Sequence, residues 1–485
     1  MTKQTIRFTA LALLLSSMTL SGCNAVTEII SGPTASGTNT QTPAATIEPT
    51  DSQPAPTATP TPTPSPTATS TPTSTPSPTP TDSPTPSAAP ITDASASATD
   101  SAAPTASADP TPTPAPTPPL GDRSDVKVVQ YYDTQLPQGL SVNLLYSKYE
   151  APFDYFVLLK GSTVRELPNT KAKALLKVSY GKRLPLLAQV KGSDGKSDWY
   201  RVKIDEKTVG YLPASVGSPR SFQLQKALDL ALTMKAEAES GKTLFVNNYR
   251  NARGTAPKQP NGKSVDALGY RRDQAAPAYP AADGTGEMRY LPDGTMLQEL
   301  EQVGEYVKVK VVFSGEELYV PVKYVNLKKD HISALTQVVS VDRKNQNVIV
   351  MQYGNGSWQV VSLSYVSTGK TGGSSLPTPL GAYVTLGKAP KFFYYGDSVG
   401  TTKMFAGFAP YAVRFSCGAW LHGVPHDVEP KANFNDIPMP KTYREAITSL
   451  GTTPQSHMCV RNYTSHAQFL YNWLKIGSSA VTVIE

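Results

Sequence analysis

The chain has 485 residues, with 45 Lys and Arg against 38 Asp and Glu. The balance is uneven: residues 1–122 hold two basic and eight acidic side chains, so the rest carries 43 basic against 30 acidic. A basic body attracts polyanions, but it lacks the interleaved aromatic and basic residues of a nucleic-acid module, so no nucleic acid is expected as a partner. Three cysteines without a CxxC spacing argue against a disulfide scaffold and a cysteine-rich metal site.

Residues 1–22 combine a basic start (Lys3, Arg7), an apolar run (Ala10 to Leu15) and a small-residue end before Cys23, the layout of a secretory signal. The Leu20-Ser21-Gly22-Cys23 ending resembles the lipobox of bacterial lipoproteins, which implies a lipidated Cys23 and an extracytoplasmic protein anchored to the membrane and facing the cell wall. Anionic wall polymers are then the expected polyanionic partners. Cys417 and Cys459 remain as thiols, and their pairing is open.

Residues 23–122 read as a linker. From about Ser31 to Leu120 they are almost wholly Pro, Thr, Ala and Ser. So little apolar surface cannot offset the entropy of ordering, and disorder with polyproline II character is expected. At ~3.1 Å per residue such a tether reaches about 300 Å when extended.

Short apolar and β-branched runs separated by turn signals predict an all-β domain over 150–218. Its Trp199-Tyr200-Arg201-Val202 and Val209-Gly210-Tyr211-Leu212-Pro213 resemble the closing strands of bacterial SH3-like domains, although Trp199 serves equally as barrel core. A helical period over 220–240 (Leu224, Ala227, Leu228, Ala231, Met234) ends at Gly241 and reads as a connector packed on the barrel. Over 247–330, Tyr306-Val307-Lys308-Val309 and Leu318-Tyr319-Val320-Pro321 echo the two closing strands, which suggests a second, degenerate SH3-like domain.

The last domain is expected over 333–485. Val338–Val341, Asn347–Tyr353 and Trp358–Ser364 alternate as strands, with Asn355-Gly356 as a tight turn. Further strands are predicted at Lys391–Tyr395, Tyr411–Phe415 and Ala480–Ile484, and a helix at about Ser465–Lys475. Four of the five histidines, His422, His426, His457 and His466, lie in this domain near Cys459. A thiol becomes nucleophilic beside a base or a positive charge, so acyl transfer stands beside a plain buried cysteine as a reading. A zinc site from His422, His426 and Asp427 is disfavoured, because Gly423 and Pro425 preclude a helix.

Ser456-His457-Met458-Cys459-Val460-Arg461, with Leu421-His422-Gly423, Ser367-Thr368-Gly369-Lys370 and Thr378-Pro379-Leu380-Gly381, resembles the L,D-transpeptidase (YkuD-like) catalytic domain. The resemblance implies a mainly β chain that ends in a β-sandwich with one or two short helices. It also implies a nucleophile Cys459 that attacks peptidoglycan stem peptides, with His422 as general base and no cofactor or metal. Ser456 and His457 would orient the site, backbone N–H groups from His457 to Cys459 would form the oxyanion hole, and Gly423, Met458 and Arg461 would line the substrate. The acyl-enzyme would pass to an amine, giving a cross-link, or to water.

The chain departs from the family at Met458, where glycine is usual, at Asn462, and at His466, where an acidic residue is common. Met458 bears most on activity if the backbone there needs positive φ. A non-catalytic wall-binding lipoprotein is therefore the alternative. Treating Arg414–His422 as one strand puts Cys417 and His422 on opposite faces, which makes Cys417 a core residue.

Overall fold

The computed structural model describes residues 121–326, 332, 334–372, 375–396, 399 and 401–485. The expected signal segment, the lipidation site Cys23 and the linker up to residue 120 lie outside the described residues. The fold is mainly β, with two α-helices among the described residues, Leu224–Glu239 (α1) and Thr464–Trp473 (α2).

Ser357–Tyr365, Asn347–Gly354, Gln337–Asp342, Ser479–Ile484 and Gly381–Val384 pair in that order in one sheet. Their register explains their nearly continuous apolar sequence. Val338, Ile349 and Met351 lie on one face with the apolar side of α1, while Val339, Val341, Val348 and Val350 enter the opposite cluster. A sheet covered on both faces needs apolar residues at both parities. Asn355 and Gly356 take φ of 52° and 80°, as a two-residue primed hairpin turn requires.

The second sheet orders Gly387–Tyr395, Phe405–Ser416, Ala419–His422 and Val460–Arg461, with His426–Lys431 paired to the long strand. Val413, Phe415, Leu421 and Val460 from its inner face complete the sandwich core.

Three features of the packing lay outside the expected pattern. The strand Leu140–Val142, far upstream, adds in parallel to Ser357–Tyr365 as an edge of the first sheet. Helix α1 packs on the last domain's sheet as well as beside the preceding barrel, its apolar residues sharing one cluster with Tyr155 and Val157: its Lys235 Nζ sits 4.3 Å from the centre of the Tyr353 ring and Lys226 Nζ donates to Glu485 O. Helix α2 begins at Tyr463 without a side-chain cap. Glu445 fills that role from a distance, its Oε2 accepting from Ser465 N at 3.0 Å and its Oε1 from Ser465 Oγ, a favourable carboxylate position at a helix N-terminus.

Two β modules precede this sandwich. The first forms an eight-stranded sheet through Asp154–Leu158, Arg183–Lys191, Asp198–Lys203 and Val209–Pro213. Trp199 is part of its core, beside Val190 and Tyr211, with Nε1 donating to Ser197 Oγ at 3.1 Å. The second is a five-stranded sheet through Met296–Val303, Tyr306–Val311 and Glu317–Pro321. The echo in sequence is an echo in backbone: each closing strand pair ends at a proline, Pro213 or Pro321, followed by one turn of 3₁₀ helix.

Candidate active site

The long insert between His422 and Cys459 folds aside, so that Ala419–His422 and Val460–Arg461 pair directly in parallel, Leu421 opposite Val460 and His422 opposite Arg461. Leu421 and Val460 face the sandwich core. Trp420 and Cys459, one residue earlier on each strand, therefore face outward, into an apolar cluster with Phe392 and Ala409. His422 shares the parity of Trp420, and its ring lies parallel to Phe392 with centroids 6.2 Å apart. The sheet thus presents the thiol and the imidazole on one face, two rungs apart.

His422 is buried, and its Nδ1 lies 2.6 Å from Gly423 O. A carbonyl oxygen only accepts, so Nδ1 carries the proton and Nε2 is left as a base. Burial, with the Arg461 guanidinium as a secondary cause, lowers the His422 pKa to about 4. The imidazole is neutral at ordinary pH. The Cys459 Sγ lies 3.5 Å from Gly418 O.

The thiol loop is stapled on both flanks. Gln455 N and Ser456 N donate to Thr368 O, Lys370 N donates to Ser456 O, and Ser367 and Arg461 exchange backbone hydrogen bonds. Asn462 N donates to His422 O at 2.8 Å. Within the loop the Ser456 hydroxyl donates to Cys459 O. Thr378 Oγ1 accepts from Gly369 N at 2.8 Å and donates to Met458 O at 2.7 Å, which fixes the orientation of that peptide. A Cβ on Gly369 would come within 2.8 Å of Met458 Cα, so only glycine permits this approach.

Met458 has φ of 153°, outside the regions open to a residue with a side chain. Glycine adopts this backbone conformation without cost, and this chain holds it with methionine. Part of the offset is packing, since the Met458 side chain rests against the sandwich core.

Arg461 lies beside His422 in register, and its Nε is buried without a hydrogen-bond partner among the described residues. His457 is half-buried and lines a cavity of about 480 Å³ together with Met458, Cys417 and Gly418. Gly423 is buried: its N–H donates to Pro410 O at 2.8 Å, and an added Cβ would meet Pro410 and Thr464 at 3.0 Å. It serves His422 through its carbonyl.

The remaining histidines are tied elsewhere. His426 Nε2 accepts from Arg444 N at 3.1 Å, and its ring stacks on Phe408. His466 lies in the core, with Nδ1 3.1 Å from Asn462 Oδ1 and Nε2 3.1 Å from Ser362 Oγ. Asn462 Nδ2 in turn donates to Val460 O. Asn462 and His466 are thus a matched pair that anchors the end of the thiol strand. Neither position signals this alone.

Cys417 corrects the single-strand premise. The long strand stops at Ser416, and Cys417-Gly418 is the turn into the antiparallel strand Ala419–His422. The residue is buried, its thiol is pushed up to about 11 by desolvation, and both it and Cys459 are free cysteines.

The model of the YkuD family, the L,D-transpeptidase catalytic domain, matches residues 336–483. No curated protein matches the chain at a significant level. Among solved structures, an L,D-transpeptidase from Mycobacterium smegmatis is 13% identical over 59% of this chain and 90% of its own, with a TM-score of 0.24. L,D-transpeptidase 3 from Mycobacterium tuberculosis, in complex with a faropenem-derived adduct, is 18% identical over 35% and 73%, at 0.21. An L,D-transpeptidase (Yku) from Stackebrandtia nassauensis is 21% identical over 33% and 60%, at 0.21. The family model carries the assignment: residues 336–483 are an L,D-transpeptidase catalytic domain of the YkuD family.

Proposed function

We propose that the chain is a cysteine-dependent peptidoglycan L,D-transpeptidase, with Cys459 as nucleophile and His422 as general base. The observation that supports this best is the placement of thiol and imidazole on one face of two paired strands, with His422 Nδ1 engaged by Gly423 O and Nε2 left as acceptor. Nε2 takes the thiol proton as sulfur attacks the carbonyl carbon of the third stem residue.

The tetrahedral oxyanion then forms near the backbone N–H groups from His457 to Cys459. Collapse breaks the peptide bond, the imidazolium gives its proton to the departing amine, and a thioester remains on Cys459. An amine from a second stem attacks that thioester to give a cross-link; water in its place gives carboxypeptidation. Arg461, with a buried and unpartnered Nε, suits a carboxylate of the substrate. Ser456 holds the loop by its bond to Cys459 O.

The setting follows the sequence reading: two SH3-like modules, anionic wall polymers around a basic body, and a lipid anchor at Cys23. The alternative is a wall-binding lipoprotein whose last domain lacks activity, favoured by one observation, the positive φ that Met458 must hold. Purified stem peptides decide between them. Formation of new cross-links that is lost in Cys459→Ala and kept in Cys417→Ala supports the enzyme; no product from the unaltered chain overturns it.

A further inference from the structure

The 480 Å³ cavity beside the thiol loop has two walls of different origin. One is the loop itself with the Cys417-Gly418 turn. The other belongs to the second β module, through Tyr270, Arg271 and Asp273.

This second wall is built rather than draped. The Asp266 carboxylate accepts from Leu268 N at 3.0 Å, Tyr270 N at 2.9 Å and Tyr290 N at 2.9 Å, which folds the segment on itself. Tyr270 then donates its hydroxyl to Leu380 O at 2.9 Å, spanning from the module to the catalytic domain. The turn behind it is docked too: the buried Asp293 carboxylate pairs with Arg414, and Val384 N donates to Gly294 O at 3.0 Å. A Cβ on Gly294 would meet Phe415 O at 2.2 Å, so glycine alone allows this seat.

The cavity carries both signs of charge, with Arg271 and Arg343 against Asp273 and Glu485. Arg343 is committed, since Nη1 donates to Thr378 O and Nη2 lies 3.4 Å from Glu485. Arg271 is exposed and enters no ion pair among the described residues. Asp273 accepts from Asn251 Nδ2 at 2.7 Å on Oδ1 and from Gln274 Nε2 at 3.3 Å on Oδ2, which leaves further acceptor lone pairs on the carboxylate. A mixed pair of this kind matches a ligand end that bears a carboxylate and an ammonium together, the Arg271 fork taking the carboxylate.

We propose that the Asp266–Gln274 loop of the second β module is a wall of the peptide-binding cleft, with Arg271 as a specificity residue for a stem-peptide carboxylate and Asp273 for the neighbouring ammonium. This module is then part of the active site and not a spacer. The inference rests on the transpeptidase reading for the identity of the peptide.

The test is equilibrium binding of a synthetic stem tetrapeptide, whose third residue is a diamino acid with a free side-chain ammonium and carboxylate, to the full chain carrying Cys459→Ala, so that no turnover intervenes. Arg271→Glu is expected to raise Kd about tenfold, roughly 1.4 kcal/mol. Lys207→Glu, the same charge change on the first module, leaves Kd in place. The same peptide with its carboxylates amidated loses the distinction between Arg271 and Glu. Unaltered Kd in Arg271→Glu, equal loss in Lys207→Glu, or no binding by the parent overturns the proposal. The two readings separate cleanly: a chain with Cys459 intact that binds through Arg271 yet forms no thioester overturns the transpeptidase and leaves the cleft standing.

Discussion

Two buried imidazoles flank the thiol strand, and they differ in one respect. On the outward side, His422 spends Nδ1 on Gly423 O and keeps Nε2. On the core side, His466 has both ring nitrogens engaged, by Asn462 and Ser362. Burial depresses the pKa of each, to about 4 and to about 3, so the shift by itself does not mark the base. Hydrogen-bond saturation does: an imidazole without a spare lone pair cannot take a proton without breaking the structure around it.

That contrast is broken most directly by His422→Ala, which should lower kcat/KM for stem peptides by about 10²–10⁴-fold while the melting temperature moves little. Comparable activity in the variant would remove His422 from its role. His466→Ala should do the reverse. It strands Asn462 Oδ1 and Ser362 Oγ in the core, at about 2–4 kcal/mol of stability, with kcat of the folded fraction nearly unchanged. A large kcat loss at unaltered stability would show that the two sites had been assigned the wrong way round.

Acid sharpens the same contrast. Both imidazoles are neutral when folded and protonate near pH 6.5 when unfolded, so the unfolded state binds more protons below that value. Their contribution is intact above pH 6.5 and is lost progressively as pH falls toward about 4 for His422 and about 3 for His466. Thermal midpoints should drop through this window, and less steeply in His466→Ala; an identical slope in that variant would count against the buried neutral imidazole. The smallest effect is expected from Met458→Gly. Relief of the positive φ, about 1 kcal/mol, is set against lost side-chain packing, so stability changes little while the rate of acylation holds or rises. A marked fall in acylation would show that the methionine itself contacts substrate.

Much of the last domain is legible in its sequence. Val338–Val341, Asn347–Tyr353 and Trp358–Ser364 fall within strands that extend one or two residues beyond them, because a local pattern decides a strand buried on both faces. The proposed thiol and base, Cys459 and His422, are legible as motifs, and the φ of 153° at Met458 is what makes a side chain there matter. What escaped was set by partners remote in sequence. Leu140–Val142 becomes a strand only because Ser357–Tyr365 offers an edge. Glu445 caps α2 from 20 residues upstream. Cys417 sits in a turn where the sequence reading takes Arg414–His422 as one strand. The Tyr270 loop, read only as part of an accessory module, reaches the cavity beside Met458 through a contact 110 residues away in sequence.

The central claim is that Cys459 is the nucleophile, and the mass of the intact protein after exposure to a carbapenem tests it most directly. A covalent adduct on the unaltered chain and on Cys417→Ala, absent from Cys459→Ala, is the predicted result. No adduct on the unaltered chain, or one that persists in Cys459→Ala, would contradict it.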